Sequence, residues 1–159
     1  MPRLIVLLTA ATVATSAPAS DYVAIELHAP VSVSADAAWA RVGRFCDIAR
    51  WGKLKCALRA GSGGAGTVRV LNDGFAEEPM VGRASRSYTY GQTVGPNAAL
   101  DYHGTLAVEP TGRRTARVDY TLVYDQARVP ADQREKMRAQ LAQRFQTFVD
   151  AIKAAAEKR

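Results

Sequence analysis

Apolar residues near the end of the chain recur every three or four positions. The set is Met137, Leu141, Phe145, Phe148, Val149 and Ile152. This spacing places them on one stripe of an α-helix. Asp132 followed by Glu135 matches a D-x-x-E capping box, and Pro130 should end the preceding strand. The opposite face would carry Arg134, Lys136, Arg138, Gln140, Arg144 and Lys153. The pattern predicts one long amphipathic helix over residues 132–159.

Between residues 21 and 125, apolar and polar residues mostly alternate, which is typical of strands that bury one face. The alternation predicts strands over residues 22–28, 54–60, 67–71, 75–81, 86–93, 100–108 and 115–124. Pro30 should end the first strand, and Pro79 indicates an edge position or a bulge in the fourth. Two short helices, 35–44 with Ser34 as its N-cap and 46–51, separate the first two strands.

The connections between these strands are short. The glycine-rich run 61–66 precedes a strand rather than a helix, so it predicts a hairpin connection and not a phosphate loop. Asn72-Asp73-Gly74 is typical of a type I′ hairpin turn. Six consecutive strands joined in this way predict an antiparallel meander. The chain therefore predicts an α+β arrangement, in which a seven-stranded antiparallel curved sheet wraps around the long C-terminal helix.

The N-terminus has the pattern of a signal peptide. Arg3 provides a positive start, residues 4–14 are apolar, and Ala17-Pro18-Ala19 matches a cleavage site. The apolar run is too short to span a membrane, which takes about 20 residues. We expect a signal peptide at 1–19, a single domain at 20–159, a periplasmic or secreted location and no stable membrane insertion.

Charge and cysteine content narrow the possible partners. Removal of residues 1–19, which contain one arginine, lowers the formal net charge from +6 to +5. The cations are spread along the chain without a basic block, so nucleic acid is not an expected partner. Cys46 and Cys56 form an even pair that favours a disulfide in an oxidising compartment. A metal site is the disfavoured alternative, because His28 and His103 lack ligand spacing. We expect neither a metal nor a cofactor.

Several short segments carry a family resemblance. They are Ala38-Trp39, Asp47-Ile48-Ala49-Arg50-Trp51, Gly66-x-x-Arg69, Glu77-Glu78, Ser87-Tyr88-Thr89-Tyr90 and Asp101-Tyr102-His103-Gly104-Thr105-Leu106. In this order the chain resembles the START-related (SRPBCC) superfamily, which includes birch-pollen-allergen-like proteins and polyketide cyclase/dehydrase and lipid-transport proteins. The resemblance implies a helix-grip fold, with an elongated apolar cavity between sheet and helix that holds lipid-like or polyketide-like ligands.

The resemblance is closest to a branch that also contains plant abscisic-acid receptors. Their gate loop corresponds to residues 72–74 here. The chain lacks the receptors' Ser-Gly-Leu-Pro gate, and Gly95-Pro96-Asn97 replaces their His-Arg-Leu latch. Hormone-receptor function is therefore not implied.

The candidate ligand-binding residues combine alternation with this resemblance. They are Arg69, Glu77, Tyr88, Tyr90, Tyr102, Tyr120, Phe145 and Phe148. Inward tyrosines supply polar groups to an apolar pocket. Glu77 matches a cavity carboxylate of relatives, where it would act as an acid/base or, as we favour, pair with Arg69. His103 has the opposite parity to Tyr102 and should face outward, so no catalytic residue is assigned.

Three functions remain open at this point. The first is an exported protein that binds a small hydrophobic or aromatic ligand. The second is a periplasmic accessory or assembly factor for a redox enzyme, which would have a periplasmic protein partner. The third is an enzyme of the cyclase/dehydratase type, which needs Glu77, Asp101 or His103 in the pocket. Phe145 packed against Tyr102 and Tyr120 without any void would remove the support for binding.

Overall fold

The computed structural model describes residues 19–158. The strands are β1 (Tyr22–Val31), β2 (Cys56–Ala60), β3 (Val68–Leu71), β4 (Ala76–Ala84), β5 (Ser87–Gly91), β6 (His103–Gly112) and β7 (Thr115–Asp125). The helices are α1 (Ala35–Val42), α2 (Ile48–Trp51) and α3 (Arg134–Glu157). The predicted signal peptide lies outside the described residues except for Ala19, as does Arg159. No helix within the described range is long and apolar enough to cross a membrane.

The seven strands form one antiparallel sheet. Their order is β1-β7-β6-β5-β4-β3-β2, so β2 to β7 follow one another as the predicted meander and β1 joins the free edge of β7. Helix α3 packs against β1, β7 and both short helices. Its buried residues are Leu141, Phe145, Val149, Ile152 and Ala156. The sheet wrapped around a helix, predicted from the alternating and helical patterns, and the helix-grip fold implied by the resemblance are confirmed.

Several predicted element boundaries are wrong, and those of β1 and α3 have a clear physical reason. β1 continues through Pro30, which pairs with Arg117 of β7. An edge strand tolerates this proline because one row of its backbone groups has no strand partner. Helix α3 begins at Arg134, after a 3-10 turn over Ala131–Gln133, and its N-cap Gln133 makes no side-chain capping bond. The predicted capping box at Asp132 is therefore absent. The Ser34 cap is confirmed, since its hydroxyl accepts from the Ala37 N–H.

Strand β4 lies in the interior of the sheet, between β3 and β5. Pro79 therefore does not occupy an edge strand. The register against β5 slips between Met80 and Gly82, which makes Val81, two residues after the proline, an extra residue in β4. Of the two interpretations of Pro79, the bulge is the one that this register supports. The strand then continues to Ala84 instead of turning at Gly82.

The β3–β4 connection is longer than a two-residue hairpin. Leu71 pairs with Ala76, which leaves residues 72–75 as the loop. Asn72, Asp73 and Gly74 have φ values of 46°, 58° and 107°. The predicted type I′ turn is therefore wrong, although the residues do take the left-handed conformations they tolerate. Asn72 exchanges two hydrogen bonds with the Lys55 backbone, which hold this loop against the chain entering β2.

A disulfide joins Cys46, between α1 and α2, to Cys56 at the start of β2, with the two Cα atoms 5.5 Å apart. The predicted pairing is present. Closing a loop of this length stabilises the fold by roughly 3 kcal/mol in the chain-entropy model. The closed loop includes Ile48 and Leu54, so the bridge holds two residues of the cavity described next.

Candidate functional site

A partly enclosed cavity of about 160 Å³ lies between α3 and the sheet. Its opening is bordered by the 72–75 loop, the chain after β5 and the segment between α2 and β2. The lining residues are Ile48, Leu54, Leu71, Asn72, Phe75, Ala76, Glu78, Tyr90, Gln92, Pro96, Asn97, Tyr120, Arg144, Phe145 and Phe148. Most of these side chains are apolar or aromatic, which is the usual composition of a small-molecule site.

Phe145 of α3 is part of both the core and the cavity wall. Its ring centroid lies 5.4 Å from that of Tyr120, 5.9 Å from that of Tyr102 and 5.5 Å from that of Phe148. These are ordinary aromatic packing distances. The void lies beside this contact, so α3 does more than close the core.

Three tyrosine hydroxyl groups meet at one point behind the cavity, from Tyr90 on β5, Tyr120 on β7 and Tyr102, which directly precedes β6. The Tyr90 hydroxyl lies 2.6 Å from that of Tyr120 and 3.1 Å from that of Tyr102. We call these three residues the tyrosine cluster. Burial is the largest cause that raises the pKa of each member well above the ordinary tyrosine value, so all three stay protonated. Three hydroxyl protons serve two hydrogen bonds, which leaves one donor free for another acceptor.

Gly104 makes room for the tyrosine cluster. It lies on β6 opposite Tyr90 of β5 and Leu122 of β7. A Cβ atom at this position would come within 2.6 Å of the Tyr102 hydroxyl oxygen and 2.7 Å of the Tyr90 hydroxyl oxygen. These separations are far below van der Waals contact, so only glycine allows the three hydroxyls to meet.

A buried ion pair supports the inner end of the cavity. Arg69 is fully buried, and its Nε donates to Glu78 Oε2 at 2.7 Å, while Nη1 donates to the Phe45 carbonyl at 2.6 Å. Nη2 lies 2.6 Å from the same Glu78 oxygen, at an angle unsuited to a hydrogen bond. The guanidinium carbon also lies 4.2 Å from the Phe45 ring centroid and 4.7 Å from that of Tyr90. Burial is the largest single effect and lowers the pKa of Arg69, but the Glu78 carboxylate together with Tyr88, Tyr90 and Tyr120 raises it further, so the pKa lies above the usual arginine value.

From Glu78 a chain of hydrogen bonds runs along the cavity to α3. Glu78 Oε1 accepts from Gln92 Nε2 at 2.9 Å, and Gln92 Oε1 accepts from the Asn97 backbone N–H at 2.8 Å. Asn97 Oδ1 in turn accepts from Arg144 Nη2 at 3.0 Å. This chain joins the β4 strand, the loop after β5 and the terminal helix around one opening. It fixes the polar side of the cavity.

The predicted site residues fall into three groups. Tyr90, Tyr120, Phe145 and Phe148 line the cavity. Arg69, Tyr88 and Tyr102 are buried behind the lining and do not contribute to it. The prediction for Glu77 is wrong, because its carboxylate lies 2.6 Å from Arg59 and outside the cavity.

The error at Glu77 is one of parity. Ala76, Glu78 and Met80 form the buried face of β4, so Glu78 is the partner of Arg69. The sequence contained this signal, since Met80 and Ala76 share the parity of Glu78. Because residues 77 and 78 are both glutamate, however, the residue types alone do not show which of the two carboxylates is buried.

Glu78, Gln92, Asn97 and Arg144 are the polar lining residues that sequence reasoning missed. The helical pattern predicts Arg144 on the face opposite the apolar stripe, but its side chain borders the cavity. It precedes Phe148 by four residues, a spacing that places both on neighbouring parts of one helix face. Gln92 and Asn97 carry no such signal, because an irregular loop sets their positions. Asp101 and His103 do not line the cavity.

The described residues contain no group of three or more side chains suited to hold a metal ion. The site instead offers aromatic walls, a cluster of tyrosine hydroxyls behind them and a polar side anchored by an ion pair. Together with the sheet wrapped around α3, these features define a helix-grip protein with a small aromatic-walled cavity. The chain belongs to the polyketide cyclase / dehydrase and lipid transport family, whose model matches residues 22–157. This places it in the START-related, Bet v 1-like superfamily.

Solved structures share this fold at low sequence identity. A protein from Thermobifida fusca is 23% identical, with a TM-score of 0.71, and the match covers 84% of this chain and 90% of that one. Norcoclaurine synthase from Thalictrum flavum, in complex with dopamine and hydroxybenzaldehyde, is 20% identical, with a TM-score of 0.62 and coverage of 85% and 86%. Ara h 8.0201 is 15% identical, with a TM-score of 0.64 and coverage of 86% and 98%. No curated protein sequence gives a significant match.

Proposed function

We propose that this protein binds a small molecule with a single aromatic ring in the cavity between α3 and the sheet. The observation that carries the proposal is the size and wall of the cavity, about 160 Å³ lined mainly by apolar and aromatic side chains. An apolar protein cavity of about 150 Å³ accommodates benzene, whereas pockets for drug-sized ligands begin at about 300 Å³. The cavity therefore fits one ring better than a lipid chain or a fused polyketide.

The polar groups give such a ligand an orientation. The free hydroxyl proton of the tyrosine cluster suits an acceptor on the ring, such as a phenol or carbonyl oxygen. Phe145 and Phe148 offer ring faces and edges on the other side. Norcoclaurine synthase, which shares the fold, has been solved with dopamine and hydroxybenzaldehyde, each of which has one aromatic ring.

Binding suits this geometry better than cyclase-type catalysis. Neither Glu77, Asp101 nor His103 lines the cavity, so the acid/base pair expected for such an enzyme is not assembled from them. Glu78 does line it, but both of its oxygens already accept hydrogen bonds from Arg69 and Gln92. A carboxylate engaged in this way is poorly placed to take a proton from a ligand. No described contact favours a role as an assembly factor.

The proposal includes export, which rests on the signal-peptide pattern of residues 1–19. Intact-mass measurement of the protein recovered from its host would give a chain beginning at Ser20. A full-length chain confined to the cytoplasm would overturn this part of the proposal and leave the binding site unaffected.

Isothermal titration with 4-hydroxybenzaldehyde, dopamine and palmitate tests the binding proposal. We expect at least one single-ring probe to bind and palmitate to bind more weakly. The substitution Ala76→Leu places three more carbons in the cavity and should weaken the bound probe by at least about tenfold. Ala57→Leu on the exposed face of β2 is the matched control and should leave affinity unchanged. Failure of both single-ring probes to bind the wild-type protein, or unchanged affinity in Ala76→Leu, would overturn the proposal.

A further inference from the structure

We propose that the natural ligand is an aromatic carboxylate, and that Arg144 binds its carboxylate group at the mouth of the cavity. The inference rests on the proposed function, since it names the chemical class of ligand for the same cavity.

The charges around the cavity point to an anion. Within the described residues, Glu78 and Arg144 are the only charged side chains that line it. The Glu78 charge is already matched by the fully buried Arg69, whose Nη2 lies 2.6 Å from it. Arg144 makes no ion pair with any described residue, and its one hydrogen-bond acceptor is the neutral Asn97 amide oxygen. The lining therefore carries one unmatched positive charge.

The Arg144 guanidinium has donors to spare. It has five N–H groups in a planar fork, which matches the two oxygens of a carboxylate. One of them is used, in the 3.0 Å bond from Nη2 to Asn97 Oδ1. That bond ties the side chain to a buried loop residue and so limits the freedom it would lose on binding. Arginine held in this way is better suited to bidentate recognition than a freely moving lysine.

The position of Arg144 couples the charge to the aromatic wall. Its guanidinium carbon lies 5.1 Å from the centroid of the Phe145 ring. Phe145 is the residue that packs against Tyr120 and borders the void. A ligand ring beside Phe145 would therefore place an attached carboxylate within reach of Arg144. A neutral ring would leave this cation without a counter-charge.

Isothermal titration with benzoate and with benzyl alcohol separates the charge from the ring. Both probes have one ring and a similar size, and only benzoate carries the carboxylate. We expect the wild-type protein to bind benzoate about two- to fivefold more tightly, which is the upper part of the range for exposed ion pairs with good geometry. The ratio of the two affinities should fall towards one in Arg144→Gln. It should persist in the control Arg138→Gln, an exposed arginine on the same helix that donates to the Ala24 carbonyl.

The outcomes distinguish this inference from the proposed function. Binding of benzyl alcohol with no preference for benzoate would overturn the carboxylate assignment and leave the aromatic cavity intact. A benzoate preference that survives in Arg144→Gln, with its fold verified by urea unfolding, would overturn the role of Arg144. If neither benzoate nor benzyl alcohol binds, both proposals are overturned. A preference lost in Arg144→Gln and kept in Arg138→Gln supports the assignment.

Discussion

The buried ion pair between Arg69 and Glu78 makes a sharp prediction about stability. In the substitution Glu78→Gln, one of the two accepting oxygens becomes an NH2 group. The native carboxylate accepts from Arg69 on one oxygen and from Gln92 on the other. The single oxygen of a glutamine amide can accept from only one of these two donors. The other donor then faces the new NH2 group in a buried site. The Arg69 charge is also left without its counter-charge.

The structure sets the size of the effect. The Arg69 side chain is 0% exposed and that of Glu78 is 5% exposed, so water cannot replace the lost partner. Removing one member of a buried pair costs about 3–5 kcal/mol in the free energy of unfolding. With a urea m-value of about 2 kcal/mol/M, a loss of about 3 kcal/mol lowers the unfolding midpoint by about 1.5 M.

Glu77→Gln provides the matched control. Glu77 is the adjacent residue, carries the same functional group and pairs with Arg59, whose side chain is 57% exposed. Exposed pairs contribute about 0–1 kcal/mol, so Glu77→Gln should change the midpoint little. Both proteins would be compared by urea unfolding followed by circular dichroism and by tryptophan fluorescence.

The double variant Arg69→Met, Glu78→Leu separates the unpaired charge from a simple loss of packing. Replacing both charges with apolar residues should recover part of the stability lost in Glu78→Gln. Equal midpoints for Glu78→Gln and Glu77→Gln would refute the reasoning. So would a double variant no more stable than Glu78→Gln, since that would mean that the uncompensated charge is not the cause.

Two further predictions concern the tyrosine cluster. Gly104→Ala should lower the free energy of unfolding by about 1–3 kcal/mol, because its methyl group would overlap two tyrosine hydroxyls, and urea unfolding would measure this. Gly82→Ala, whose Cβ meets nothing within 4 Å, is the control, and an equal loss there would contradict the overlap argument. Because burial raises the pKa of all three tyrosines, the folded state binds more protons than the unfolded state above about pH 10, and stability should fall as pH rises beyond that value. Phenolate absorbance of the cluster should then appear together with unfolding, and ionisation of every tyrosine in a fully folded protein would contradict it.

The local pattern of apolar residues was sufficient to predict an element and its buried face where that pattern follows one period. Alternation in β7 predicts its buried face, and all of Val118, Tyr120, Leu122 and Tyr124 are buried. Apolar spacing predicts α3 in the same way. A strand or helix that buries one face must repeat with its own backbone period, so such elements can be recognised without knowing their partners.

Local pattern failed where two interpretations satisfy the same period. Glu77 and Glu78 are chemically alike, and only the pairing of β4 with β3 shows which one meets Arg69. Similarly, Asp132 has the sequence of a capping box, but the chain after Pro130 first forms a 3-10 turn and the helix begins later. A shift of one residue changes the face of a strand, so small differences in register decide such cases.

The sequence by itself determined the order of elements, the antiparallel meander, the helix that the sheet surrounds and the family. The sequence also named four of the aromatic residues that line the cavity, but only the tertiary structure decided how the site is assembled and which polar groups belong to it. Tyr90 and Tyr120 lie on two strands, Tyr102 directly precedes a third, and their hydroxyls meet because β6 places Gly104 opposite Tyr90. Arg144 and Asn97 are 47 residues apart along the chain and meet at one opening. Secondary structure follows from the period of apolar residues within one segment. A cavity depends on how separate segments pack against one another, and the residue pattern within one segment does not determine that packing.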